Sequence, residues 1–149
     1  MTPEAPPADP AATASEDGAV ASAESVVLGG VRQSLLIRGA HRDKPVLLFI
    51  HGGPGSPYMG FAHQFQSALE RDFVVVQWDQ RGAGKSFPHT PPESMTVQQF
   101  QSDTHELVLY LKQRFGRERI FLLGHSWGAY LGLQEAWQHP ERSEEHTSE

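Results

Sequence analysis

Gly124-His125-Ser126-Trp127-Gly128 is the stretch on which the reading of this chain turns. Before it runs Arg119-Ile120-Phe121-Leu122-Leu123, an apolar segment of strand length. After it, Ala129 to Trp137 carries a helical pattern. Strand, G-x-S-x-G and helix in that order are the context of a nucleophile elbow, a tight turn that lifts a serine hydroxyl out of the chain. Such a turn requires small residues two before and two after the serine, and Gly124 and Gly128 meet that requirement. The helix that follows aims its N-terminal amides at the serine oxygen, where negative charge develops during acyl transfer. The simpler alternative is a helix N-cap, a position serine commonly fills. Because both flanks fit the elbow, that reading is preferred.

Working outward, Val46-Leu47-Leu48-Phe49-Ile50 is apolar at every position and predicts a strand covered on both faces of a parallel sheet. It ends at His51-Gly52-Gly53-Pro54-Gly55. Phe61, Phe65, Ala68 and Leu69 have helical spacing and predict a helix. Phe73 to Trp78 is the next buried strand, closed by Asp79-Gln80-Arg81-Gly82-Ala83-Gly84. Pro88, Pro91 and Pro92 interrupt the chain, and a helix is expected from Thr96 to Phe115. Thr96 and Gln99 form its capping box, Val97, Phe100, Thr104, Leu107, Val108 and Leu111 its apolar face, and Gly116 its stop. Upstream, Val26-Val27-Leu28, Gly29-Gly30 and Arg32 to Arg38 read as a hairpin. The expected class is therefore α/β, with an antiparallel hairpin followed by parallel strands and crossover helices. The glycine-rich loops all follow strand C-termini, the edge where open α/β sheets place their ligands.

The 149 residues carry a formal charge of -6, which leaves no basic face for nucleic acid. No cysteine is present, so thiolate metal sites and a cysteine nucleophile are excluded. The longest apolar runs are too short to span a bilayer. Residues 1–25, rich in Ala, Pro, Ser, Asp and Glu, lack the basic start and apolar stretch of a secretory signal and are expected to be a disordered leader. A cytoplasmic location follows as an expectation. Residues 26–141 form the expected folded part. Residues 142–149, Arg142-Ser143-Glu144-Glu145-His146-Thr147-Ser148-Glu149, are polar and unpatterned and resemble a translated sequencing adapter. They are expected to be an artefactual tail that adds no element to the fold. Gly84-Lys85-Ser86 fails as a phosphate-binding loop, because Asp79 stands where that motif needs glycine. None of the eight histidines forms a metal-binding spacing, and His105 on the long helix reads as part of a solvated face, so no metal or cofactor site is expected.

Together, HGGPG, WDQRGAGKS and GHSWG resemble the α/β-hydrolase superfamily, within it the proline iminopeptidase-like branch, over residues 26–141. The resemblance implies an incomplete α/β-hydrolase fold and a serine hydrolase that, at full length, releases N-terminal residues from peptides. It assigns Ser126 as nucleophile and the backbone amides of Gly53 and Trp127 as the oxyanion hole. His51, Gly52, Asp79 and Arg81 are assigned to supporting the loops, with an Asp79–Arg81 pairing expected. His125, on the elbow itself, cannot turn back onto Ser126 and is read as a packing residue. The same nucleophile would serve an esterase, lactonase or thioesterase, and a non-catalytic binding module with this fold is the reading from a different class. Epoxide hydrolases and dehalogenases are disfavoured, since they carry an aspartate where Ser126 stands. In this family the acid and the histidine follow the nucleophile. No aspartate follows Ser126 here, and His139 is set at the far end of the next helix. The chain alone is therefore expected to turn over little substrate, and its last parallel strand is expected to be a bare, aggregation-prone edge. The expected partner is a small molecule or short peptide; the sequence leaves the oligomeric state open.

Overall fold

A computed structural model describes residues 18–52 and 68–139, together with the backbone of residues 143–148. Among these residues six strands form one sheet in the order β1-β2-β4-β3-β5-β6. They are β1 (Val20–Leu28), β2 (Val31–Gly39), β3 (Val46–Ile50), β4 (Val74–Asp79), β5 (Ile120–His125) and β6 (Ser143–Ser148). β1 and β2 pair antiparallel, as do β2 and β4. The pairs β3–β4, β3–β5 and β5–β6 are parallel. The expected hairpin and parallel core are thus present. Gly29 and Gly30 turn the hairpin with φ of 54° and 77°, the left-handed pair that a two-residue hairpin loop requires.

Two boundaries differ from expectation. β1 starts at Val20, ahead of the boundary expected at residue 25, and pairs along its whole length with β2. Its small Ala and Ser residues resemble a disordered composition, yet Val20 and Ser22 alternate inward with Val26 and Leu28. At the other end, residues 143–148 form a strand beside β5. The β5 edge expected to be bare is therefore paired. A ladder is built from backbone groups, so an unpatterned polar segment can supply one. The helix expected over residues 61–69 lies largely outside the described residues. Of its positions, Leu69 opens a short 3₁₀ turn, Leu69–Arg71.

Every residue of β3 and β4 is buried, the apolar ones in keeping with the sequence pattern and Gln77 and Asp79 as buried polar groups near the C-terminal end of β4. Among the described residues two α-helices pack on the sheet: α1 (Val97–Phe115) and α2 (Trp127–Gln138). The Thr96 hydroxyl caps α1 by accepting from the Gln99 amide at 3.1 Å, and Gly116 closes it at φ 62°. The reciprocal half of the capping box is not made, because the Gln99 side chain donates to Asp103 instead. Phe100, Thr104, Leu107, Val108 and Leu111 face the core as expected, whereas Val97, in the first turn, is exposed.

Asp103, on the same buried face, anchors the fold's main polar cluster. Its carboxylate accepts from Arg81 Nε at 2.7 Å and Arg81 Nη2 at 3.1 Å, and from the side-chain amides of Gln33 and Gln99. Arg81 also donates to the carbonyls of Leu28 and Gly29. The cluster fastens the hairpin turn and the loop after β4 to α1. Arg81 therefore pairs with Asp103, and the expected Asp79–Arg81 pairing does not form. Asp79 instead accepts the Lys85 amide at 2.9 Å and so holds the 3₁₀ turn Gly84–His89. Among the described residues no helix is long and apolar enough to cross a membrane.

With side-chain exposures of 1% and 0%, the Arg81–Asp103 pair is fully withdrawn from water. Asp103→Asn leaves the guanidinium buried without a counter-charge and should destabilise the protein by about 3–5 kcal/mol in urea denaturation. A loss under about 1 kcal/mol would contradict the role given to this pair. A second cluster titrates. Burial raises the Glu24 carboxyl, but hydrogen bonds from Arg114 and Ser22, with the Arg114 charge, outweigh it and hold its pKa below the ordinary 4.5. A depressed carboxylate stabilises the fold above its unfolded pKa, and that contribution is lost as pH falls through the folded value. Glu24→Gln should therefore reduce stability at neutral pH, by less than about 1 kcal/mol for a pair open to solvent on the arginine side. The deficit should vanish well below pH 4.5; one that persists unchanged in acid would contradict the assignment.

Candidate active site

The loops after β3, β4 and β5 meet at the C-terminal edge of the sheet. Ser126 stands between β5 and α2 with φ 54° and ψ -113°, and is the one non-glycine residue at positive φ among those described. That conformation is strained for an L-residue. Its hydroxyl makes no capping bond to α2, so the N-cap alternative does not describe it. The side chain is exposed. The Ser126 carbonyl accepts from the amides of Ala129 and Tyr130, and this starts the helix.

The flanking glycines are required sterically. A Cβ on Gly124 would lie 2.4 Å from the Gly128 carbonyl oxygen, and one on Gly128 would lie 1.8 Å from that of Ile50. Gly52 is confined in the same way, with a Cβ there only 2.8 Å from the His125 carbonyl oxygen and 3.2 Å from Ser126 Cβ. The first turn of α2 thus lies directly on the end of β3.

Polar contacts join the three loops. Buried His51, just after β3, accepts the Gln80 amide at Nε2 (3.2 Å), while Nδ1 lies 3.0 Å from the Gly52 carbonyl. These partners place the proton on Nδ1 and keep the ring neutral. Burial lowers the His51 pKa from its usual 6.5, against the opposing effects of the Gly52 carbonyl and the Asp79 charge. The Gln80 side chain donates to the His51 carbonyl at 3.0 Å and accepts from the Trp127 indole at 3.2 Å. Trp127 also meets Phe100 edge to face, with ring centroids 5.5 Å apart. Its partly buried side chain packs against the core while its backbone amide starts α2 beside Ser126. Gln80, fully buried, is the site residue the sequence reading passed over; its place between Asp79 and Arg81 in the loop motif was the available signal.

The structure brings together Ser126, Trp127, Gly52 and His51, with Asp79 and Arg81 bracing the adjoining loop. Gly53, the second assigned oxyanion donor, lies outside the described residues. Among the described residues no imidazole is hydrogen-bonded to the Ser126 hydroxyl. His139 caps the opposite end of α2. There, His105 Nδ1 lies 3.0 Å from Glu135 Oε1, and the His105 and His139 rings stack at 3.8 Å. His105 thus faces α2 and does not belong to a solvated helix face. Three potential metal ligands converge where the sequence reading expected none. The four-residue separation of Glu135 and His139 was the local signal, but His105 comes from another helix.

Comparison with known proteins gives this geometry its relatives. The family described as alpha/beta hydrolase fold matches residues 45–143. The chain is 39% identical over 127 residues to the probable aminopeptidase YbaC of Bacillus subtilis, covering 85% of this chain and 40% of that protein. It is 32% identical over 98 residues to epoxide hydrolase B of Mycobacterium tuberculosis, covering 66% of this chain and 26% of that protein. The crystal structure of a proline iminopeptidase-related protein from Thermus thermophilus superposes with a TM-score of 0.70 and 30% identity, over 85% of this chain and 44% of that one. The chain thus spans less than half the length of each.

Two glycines of α2 should respond oppositely to alanine. Gly128→Ala forces a methyl group onto the Ile50 carbonyl and should cost about 3 kcal/mol or more, the top of the overpacking range. At Gly132 the nearest atom to a new Cβ is Ile50 Cδ1 at 3.7 Å, an ordinary contact. Gly132→Ala should stabilise the helix by up to about 1 kcal/mol. Denaturation midpoints of both variants check this pair, and a tolerated Gly128→Ala would contradict the close approach.

Proposed function

The chain belongs to the α/β-hydrolase fold family, and from that premise we propose that the full-length protein is a serine hydrolase with Ser126 as its nucleophile. The observation that carries the proposal is the strained, exposed and uncapped Ser126 between β5 and α2. A serine kept in this conformation for packing alone has no evident reason to be serine.

In the proposed reaction Ser126 Oγ attacks an acyl carbonyl and an acyl-enzyme forms as the leaving amine departs; water then hydrolyses it. The Trp127 amide, at the positive end of α2, donates to the oxyanion together with the Gly53 amide. The Gln80–Trp127 bond keeps that end of α2 in register with the loops after β3 and β4. The acid and the general-base histidine are assigned to the length of the relatives that this chain does not span. The nucleophile–acid–histidine order supports that assignment, since residues 127–149 contain no aspartate.

For the substrate we propose an N-terminal residue of a short peptide, supported by similarity to a protein named as a probable aminopeptidase and to a proline iminopeptidase-related structure. Epoxide hydrolase B is also a relative. Serine at position 126 favours acyl transfer over epoxide opening, which relies on an aspartate there.

A full-length protein assayed on a prolyl anilide and on a short-chain ester tests both levels. Hydrolysis of the anilide, abolished by about 10⁴-fold or more in Ser126→Ala, is expected. Ester hydrolysis alone, equally dependent on Ser126, would keep the nucleophile and overturn the peptidase reading. Turnover unaffected by Ser126→Ala would overturn the proposal as a whole.

A further inference from the structure

The far end of α2 holds a second constellation that acyl transfer does not use. His105 on α1, with Glu135 and His139 on α2, offers one ligand atom each, and all of these atoms lie within 4.8 Å of one another. We propose that these three side chains bind a divalent transition metal of the zinc type, which clips α1 to α2.

The donor set fits such an ion. Two imidazoles and one carboxylate are common zinc ligands, and a tetrahedral site with three protein ligands leaves a fourth position for water. Calcium and magnesium select oxygen donors and are poorly matched to two histidines. In a tetrahedral site with ligands at ~2.0–2.1 Å, donor atoms stand roughly 3.4 Å apart. The His105 and His139 rings, stacked at 3.8 Å, have to turn out of that stack for their ring nitrogens to converge on the ion.

Burial favours the ion as well. Glu135 is 3% exposed, and a carboxylate withdrawn from water calls for a compensating charge. His105 is partly open, with a side-chain exposure of 27%, so an ion has a path from solvent. Glu135 and His139 stand four residues apart, on one face of α2 where the helix ends. One turn earlier on α1, Gln101 donates to the Tyr130 hydroxyl at 3.2 Å. The cluster therefore closes a polar seam that already joins the two helices. A metal there would hold the helix that begins at Ser126 by its other end. That role is structural, and it is independent of the substrate assigned above.

Titration of the chelator-stripped 149-residue protein with zinc chloride, followed by calorimetry, tests the proposal. One equivalent should bind in the micromolar range or tighter and raise the melting temperature. His105→Ala or His139→Ala should weaken binding at least about tenfold, a loss that removal of even an outer-shell partner can produce. His89→Ala, at an exposed histidine elsewhere, should leave it unchanged. Ring resonances of His105 and His139 in the unsubstituted protein give a readout free of folding defects; zinc should shift both and leave His89 in place. No stoichiometric zinc binding, or binding that leaves both rings unperturbed, overturns the proposal.

Discussion

The approach of Gly128 to the end of β3 is the constraint from which the rest of the site follows. A Cβ there would stand 1.8 Å from the Ile50 carbonyl oxygen and 2.7 Å from that of His51. With no side chain in the way, α2 can start directly against the sheet. The chain then has no length in which to relax between β5 and α2, and Ser126 takes up a positive φ. The strain is therefore a consequence of where the helix begins. It persists because β3, β4 and β5 are packed around it and over-determine it.

The surrounding polar contacts keep this geometry from opening. Gln80 bridges the His51 carbonyl and the Trp127 indole, so the ends of β3, β4 and β5 are tied to one another. One residue further on, Arg81 enters the buried cluster around Asp103 that also holds the hairpin turn and α1. Two adjacent residues of one loop thus face two tasks, one toward the elbow and one toward the scaffold. At the other end of α2, His105 and Glu135 join the elbow's helix to α1 again.

Much of this was legible in the residues because it depends on local pattern. β3 is apolar throughout and β4 is apolar over Val74–Val76 since both faces are covered, and α1 carries its cap at Thr96 and its stop at Gly116. The elbow was legible because steric demands fix glycine at positions 124 and 128. What stayed hidden depends on partners distant in sequence or on backbone alone. Asp103 is the counter-ion of Arg81 from 22 residues away, and neither residue marks the other. The start of β1 at Val20 is concealed by small residues that pair as well as larger ones. β6 is concealed because its ladder to β5 needs no apolar pattern. The cluster at His105 is assembled by the packing of two helices, which no single-helix spacing displays.

The family is established by the match over residues 45–143, and the proposed chemistry rests on Ser126. The most direct test is covalent: treat the folded full-length protein with a fluorophosphonate probe and map the labelled peptide by mass spectrometry. The account predicts a single adduct on Ser126, absent after prior heat denaturation. A folded sample that takes no label, or takes it at another serine, would contradict it.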